Sequence, residues 1–210
     1  LNSYILRMTI AQNQLHQAAM RLFAERGVTQ TTVSHLAEAA GVARGTVYNN
    51  FKSVESLFEE VATQLTTEMS VRMAAIPNQS TDPARRLANG IRVFVRRAHE
   101  DPPWGRFLVR FGSTTPTLRG LLEGAPTNDL KLGIELGRFH LRADQLATAV
   151  AVMSGSVLAA IMLVLEGHRT WRDAGADTAE LFLRALGVTA DEARSLATSE
   201  LPRLPAGGDD

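Results

Sequence analysis

The chain has 210 residues, no cysteine, and 22 basic against 22 acidic side chains, for a formal charge of zero. That length can hold one large domain or two small ones with a real core. Without cysteine there is neither a disulfide framework nor a thiolate metal site, and the balanced charge argues against a nucleic-acid binder that relies on a basic envelope alone.

No basic segment running into an apolar core opens the chain, so no secretory signal is expected. Met8 offers an initiator, and Leu1 to Arg7 is assigned no function. The first predicted helix carries Leu15, Ala18, Ala19, Leu22 and Phe23 as one apolar stripe and ends at Glu25-Arg26-Gly27-Val28. Next comes Thr31 to Lys52, TTVSHLAEAAGVARGTVYNNFK, in which two short helical patterns flank Ala40-Gly41-Val42. Thr31 or Thr32 supplies an N-cap hydroxyl. Val33, Leu36, Ala37 and Ala40 recur at three- and four-residue intervals, which buries one helix face. Gly41 provides the positive φ that ends a helix in a sharp turn, and Val42 pins the two helices. The second helix, about Arg44 to Asn50, puts Val47 inward with Phe51 after it and leaves Arg44, Thr46, Tyr48 and Asn49 outward. This is the pattern of a helix-turn-helix, which places one short helix in a DNA major groove. Arg can read guanine, Asn adenine, and Thr a thymine methyl; the Tyr48 hydroxyl suits a phosphate oxygen. Arg44 and Lys52 outweigh Glu38 in this stretch, so affinity has to come from local placement, helix N-termini and two copies of the domain. A further stripe, Val54, Leu57, Phe58 and Val61, follows, with Ser53 as N-cap and Glu55 in the first turn.

Residues 10 to 65 resemble the DNA-binding domain of the tetracycline-repressor (TetR/AcrR) family. The matching positions are Ala18-Ala19, Leu22-Phe23-Ala24-Glu25-Arg26-Gly27, Thr32-Val33, Leu36-Ala37, Ala40-Gly41-Val42, Gly45-Thr46-Val47-Tyr48 and Phe51-Lys52-Ser53. The resemblance implies a recognition helix bearing Arg44, Gly45, Thr46, Tyr48 and Asn49, with Thr31 or Thr32 and Lys52 on phosphates. Two positions depart from the family pattern. Val54 stands where a second lysine is common, and Ala43 replaces a serine that commonly caps the recognition helix, a loss of about 1 kcal/mol.

Beyond residue 67 the chain reads as all-α. Pro77 to Pro83 is a break, followed by a helix from about Asp82 to His99 with Pro83 at its first position and Leu87, Ile91, Phe94 and Val95 on its buried face. Asp101-Pro102-Pro103 breaks it. Trp104, Phe107, Leu108 and Phe111 form a short aromatic-rich helix, and Gly112 to Pro116 a loop. Leu118, Leu121 and Leu122 open another helix. Its path through Gly124 to Asn128 stays open, and Leu130 to Leu136 resumes a helical pattern. Gly137 to Arg142 is a connector. Leu146 to Leu165 then runs twenty residues without a charge, long enough to span a bilayer. Thr148, Ser154, Gly155 and Ser156 dilute its apolarity, so the expected role is a buried central helix, with Val150, Met153, Val157, Ile161 and Val164 on one face and the small residues Ala151, Gly155 and Ala159 opposite. Helices about Ala176 to Leu186 and Ala190 to Thr198 complete the chain; Trp171 falls between helices and is given no role.

The expected architecture is therefore an N-terminal three-helix helix-turn-helix DNA-binding domain (1–66) and a C-terminal helical ligand-binding and dimerisation domain (67–205), with 206–210 a flexible tail. The resemblance implies a homodimer built on the last two large helices, for which Ala151, Gly155, Ala159, Met162, Leu181 and Phe182 are the candidate interface residues. A helix apolar nearly all round must be covered in any case. Candidates for an apolar ligand cavity are Phe94, Trp104, Phe107, Phe111 and Met162, with Arg110 and Glu166 as polar anchors; each aromatic serves equally well as plain core. His16, His35, His99, His140 and His168 show no ligand spacing, so neither a metal nor a cofactor is expected. Gly155-Ser156 is no nucleophile elbow, and no P-loop, dinucleotide glycine motif or HExxH is present, so no enzyme is expected. The function implied is a cytoplasmic ligand-responsive regulator, a repressor, that binds a palindromic double-stranded operator as a dimer and is released by a small apolar molecule. The alternative is a helical carrier or adaptor with a vestigial DNA-binding head.

Overall fold

The computed structural model describes residues 9–74 and 81–201. The segment Leu1 to Arg7, most of the break opening at Pro77, and the tail 206–210 lie outside the described residues. Those residues form ten α-helices and one 3-10 turn, and no strand occurs among them. The chain divides into two compact units between Leu65 and Thr66.

The first unit contains α1 (Ile10–Arg26), α2 (Val33–Ala40), α3 (Arg44–Asn50) and the start of α4 (Val54–Ala74). On α1 the stripe Leu15, Ala18, Ala19, Leu22 and Phe23 is buried. Phe58 of α4 meets Phe23 edge-on at 5.6 Å. Burying a side chain such as Phe23 contributes about 1.5–3 kcal/mol, so these few positions hold α1 and α4 together. Caps fix the helix starts. Thr9 and Gln12 form a reciprocal capping box on α1, and Ser53 accepts from the Ser56 N–H at 3.1 Å at the start of α4. The Glu55 carboxyl is held below its ordinary range by its own backbone N–H and by Ser53.

In the second unit α5 (Pro83–Glu100) is the spine, in contact with α6 (Pro102–Phe111), α7 (Pro116–Glu135), α8 (Leu146–Leu165), α9 (Trp171–Ala185) and α10 (Ala190–Thr198). Asp82 caps α5 by accepting from the Ala84 N–H at 3.0 Å, and Pro83 takes the first position, where its missing N–H costs nothing. Asp101 closes α5 and caps α6 through the Trp104 N–H at 3.1 Å. Arg138, in the connector after α7, donates to Asp82 at 3.1 Å and to Glu192 of α10 at 2.6 Å. Burial works against the Asp82 carboxylate, but Arg138 and the Ala84 N–H outweigh it and hold its pKa below the ordinary value.

Three findings go beyond the sequence reading. First, α7 runs unbroken through Gly124 to Asn128 with Pro126 inside it. A proline there forfeits one helical hydrogen bond and crowds the carbonyl of Leu122. The helix continues because Leu118 and Leu122 before it, and Leu130 and Gly133 after it, are buried on one stripe. Second, Phe139 closes over Gly133 so tightly that a Cβ at that position would overlap the ring. Third, α9 starts five residues earlier than its apolar pattern suggests. Thr170 caps it through the Asp173 N–H at 3.1 Å, and Trp171 is its first residue, stacked on His99 at 6.4 Å with the Arg172 guanidinium 4.5 Å from the ring centre.

The segment Ala143–Leu165, a 3-10 turn leading into α8, is long and apolar enough to cross a membrane. Its inner face, Val150, Met153, Val157 and Ile161, is buried against the surrounding helices.

Candidate nucleic-acid interface and cavity

Gly41 makes the turn between α2 and α3, with φ of 66° in the left-handed region that glycine adopts without strain. The Gly41 N–H donates to Glu38 at 3.2 Å and that of Val42 to Ala37 at 3.0 Å, so the last α2 carbonyls are satisfied. On α3, Val47 is buried, and Phe51 just beyond it is buried too. A seven-residue helix anchored on that one side leaves the other to solvent. Arg44, Gly45, Tyr48, Asn49 and Lys52 are exposed, Tyr48 to 67 %, while Thr46 is half-buried. Asn50 donates to the Thr46 carbonyl at 2.7 Å and helps close the short helix. Ala43 holds the N-cap position with no side-chain hydrogen bond.

Thr31 does not fit the expected phosphate role. It is buried, and its hydroxyl donates to the Gly27 carbonyl at 2.8 Å, which ties the α1–α2 loop together. Thr32 is the exposed one, and it caps α2 by accepting from the His35 N–H at 3.3 Å. His35, read as a solvent-facing side chain, returns the bond by accepting the Thr32 N–H at 3.4 Å.

The second unit contains a cavity of about 310 Å³. Its wall is drawn from Thr66, Ser70 and Met73 of α4, Arg86 to Phe94 of α5, Gly120 to Asp129 of α7, and Met153 and Val157 of α8. The lining is mostly apolar, with one ion pair. The Arg86 Nε and Nη2 both lie 2.7 Å from Asp129 Oδ1, and Arg86 Nη1 donates to the Thr81 carbonyl at 3.1 Å. Burial pushes the Asp129 carboxyl above its ordinary range, against the pull of Arg86.

Of the expected ligand-cavity residues only Phe94 lines this space. Trp104 and Phe107 are buried in the core, Trp104 behind Phe94 at 6.1 Å and with Arg97 5.4 Å from its ring centre. Phe111 is half-buried against Phe107 at 5.0 Å, and Arg110, Met162 and Glu166 are exposed. None of these six borders the cavity. The ion pair that does was missed, although the sequence holds a signal for it. Leu118, Leu122, Pro126, Asp129 and Gly133 fall at three- and four-residue spacing, so Asp129 is a lone carboxylate on an otherwise apolar stripe.

Among the expected dimer-interface residues, Ala151, Gly155, Ala159, Met162 and Leu181 are exposed, whereas Phe182 is buried within its own chain. Phe182 faces inward because Leu183, Ala179 and Leu186 bury the same side of α9. Val152 at 52 %, Met162 at 43 %, Leu163 at 41 % and Leu181 at 63 % make an exposed apolar face on α8 and α9.

Two family descriptions match this chain: "Bacterial regulatory proteins, tetR family" over residues 15–61, and "Tetracyclin repressor-like, C-terminal domain" over residues 82–199, more than half of its length. The chain belongs to the TetR family. That family is one of bacterial regulatory proteins, and its all-α fold, with an N-terminal helix-turn-helix and a helical C-terminal region, is the fold found here. The chain is similar to RolR, solved without ligand (32 % identity, 91 % of this chain and 99 % of that one, TM-score 0.67) and with the ligand resorcinol (32 %, 92 % and 96 %, TM-score 0.68). It is also similar to the HTH-type transcriptional repressor KstR2 of Mycolicibacterium smegmatis, 36 % identical over 76 residues. That stretch is 36 % of this chain and spans only 37 % of the repressor's length; for KstR2 of Rhodococcus jostii the share is 24 %.

Proposed function

We propose that this TetR-family chain is a cytoplasmic, ligand-responsive transcriptional repressor. It binds a palindromic operator as a homodimer and is released by a small molecule held in the cavity of its second unit. The observation that carries the reading is α3: Val47 and Phe51 anchor it, and its outer side offers Arg44, Tyr48 and Asn49 to solvent beside Lys52. Arg44 and Asn49 are the base-reading groups, and Tyr48, Thr32 and Lys52 hold phosphates. A head without a DNA partner, as in a carrier or adaptor, has no use for such a helix.

A single head reads few base pairs, so specificity needs two, with half-sites about 34–36 Å apart or at a multiple of that. The exposed apolar face of α8 and α9 supports the dimer, since Val152, Met162, Leu163 and Leu181 gain by leaving water. Ala151, Gly155 and Ala159 let a partner helix approach closely. Ligand control is supported by the cavity and by the similarity to RolR, which was solved with resorcinol. α4 is the connecting element: it begins at Val54 in the first unit, and Thr66, Ser70 and Met73 farther along it line the cavity. A ligand that prefers one placement of α4 by about 1–3 kcal/mol is enough to change operator affinity five- to 150-fold.

The test is a gel shift with a labelled palindrome from the DNA upstream of its own gene. Binding is expected below micromolar concentration at modest salt; if no duplex binds there, the repressor reading fails. Arg44→Ala relaxes preference at one base position, whereas Tyr48→Ala weakens all sequences alike.

A further inference from the structure

The cavity is mostly apolar, its polar groups being the hydroxyls of Thr66 and Ser70 and one neutralised pair, and the way that pair is wired decides which charge it can accept. Arg86 is the one cation among the described lining residues, and its fork is engaged: Nε and Nη2 on Asp129 Oδ1, and Nη1 on the Thr81 carbonyl. Both contacts of the pair fall on Oδ1, and among the described residues no donor reaches Oδ2. The charge the cavity presents to a ligand is therefore a carboxylate oxygen, an acceptor with no donor of its own. A ligand carboxylate finds no uncommitted cation and meets Asp129 as a like charge in an apolar surround, where unpaired charge is costly. A hydroxyl, by contrast, completes Asp129 with a charge-assisted hydrogen bond.

Size narrows the class further. A cavity of about 310 Å³ is at the small end of ligand pockets, and an engineered apolar cavity of about 150 Å³ in another protein takes up benzene. There is room for one substituted ring or two fused rings. Phe94, Ile91, Met153 and Val157 give such a body apolar contact on the α5 and α8 walls.

We propose that the effector is a compact, neutral, hydroxylated ring compound of the phenol class, whose hydroxyl donates to Asp129, and that the Arg86–Asp129 pair is a filter that admits such molecules and rejects carboxylates. This rests on the reading of the cavity as the effector site.

The test is calorimetric titration of the full-length protein near neutral pH with resorcinol, toluene and benzoate. Resorcinol is expected to bind at least tenfold more tightly than toluene, and benzoate more weakly than either. Asp129→Ala removes the carboxylate and leaves the positive charge of Arg86 on the cavity wall, so the order inverts and benzoate outbinds resorcinol at least tenfold. A merely structural ion pair does not produce that inversion. Should Asp129→Ala fail to fold, Asp129→Asn keeps the side-chain shape, removes the charge and carries the same expectation. Equal affinity of the wild type for benzoate and resorcinol overturns the proposal, as does no binding of either, or a folded variant that keeps the wild-type order. A gel shift on the ligand-free protein separates this from the repressor reading. Operator binding without the expected ligand order removes the filter alone, and the ligand order without operator binding removes the repressor alone.

Discussion

Gly90 lies in the middle of α5 on the cavity wall, where a helix rarely favours glycine. A Cβ added there meets no atom within 4 Å. Gly90→Ala therefore gains helix propensity, about 0.5–1 kcal/mol, with no clash to set against it. For a chain of this size 1 kcal/mol is worth roughly 2–4 °C in Tm, so the ligand-free variant should melt about 1–4 °C higher. The new methyl projects into the space a ligand would occupy, and overpacking a filled site costs about 1–3 kcal/mol. Resorcinol should then bind at least fivefold more weakly to a protein that is more stable without it. Scanning calorimetry of the free protein and titration of the ligand measure the two halves separately. A lower Tm with native circular dichroism would show that the backbone needs glycine there. Unchanged resorcinol affinity would show that the ligand does not occupy the wall at Gly90.

Ala43→Ser restores a side-chain cap to α3 and should stabilise the protein by about 1 kcal/mol, read as a higher urea midpoint with unchanged slope; no shift would mean that the α3 start is already satisfied. Leu181→Asp should convert a dimer to a folded monomer in sedimentation, since Leu181 is 63 % exposed within its own chain, whereas Phe182→Asp, at a buried position, should unfold it; a dimeric Leu181→Asp would move the interface off α9. Asp82 has a folded pKa below its unfolded value, so its stabilising effect is full above the ordinary Asp pKa of about 3.9 and is lost as pH falls through the folded value. Asp82→Asn should flatten an acid-unfolding profile below about pH 3.9, and an unchanged profile would refute the assignment.

The head was legible in the sequence because its rules are local. Spacing gave the buried stripes of α1 and α2, the A-G-V turn needs one glycine at positive φ, and caps lie within three residues of what they cap. The same locality misplaced Thr31. Two adjacent threonines are alike as caps in a string of letters, and only the return of the chain past Gly27 gives one of them a carbonyl to bind. The path through Gly124 to Asn128 stayed open for the opposite reason. The local cost of Pro126 is real, but burial on both sides of it holds α7 together, and that burial comes from helices far away in the chain. Trp171 likewise looked unplaced until His99 and Arg96, more than 70 residues earlier, supplied its stacking surface.

The cavity was the least legible part, because of the expected aromatics only Phe94 lines it. Large aromatics bury the most area, so a folding chain uses them to close its core, as Trp104 and Phe107 do here. Open space is left where side chains are small or missing, at Gly90 and Gly120, and along a proline-bearing helix. The polar group that specifies a ligand must tolerate burial before the ligand arrives, so it comes paired, and its partner is chosen by the tertiary fold. Arg86 and Asp129 stand 43 residues apart on different helices. A carboxylate on an apolar stripe is the half of that pair a sequence can reveal. An arginine one turn ahead of a helical glycine is the half it conceals, because arginines on a helix are ordinarily solvated and only the meeting of the two marks a site.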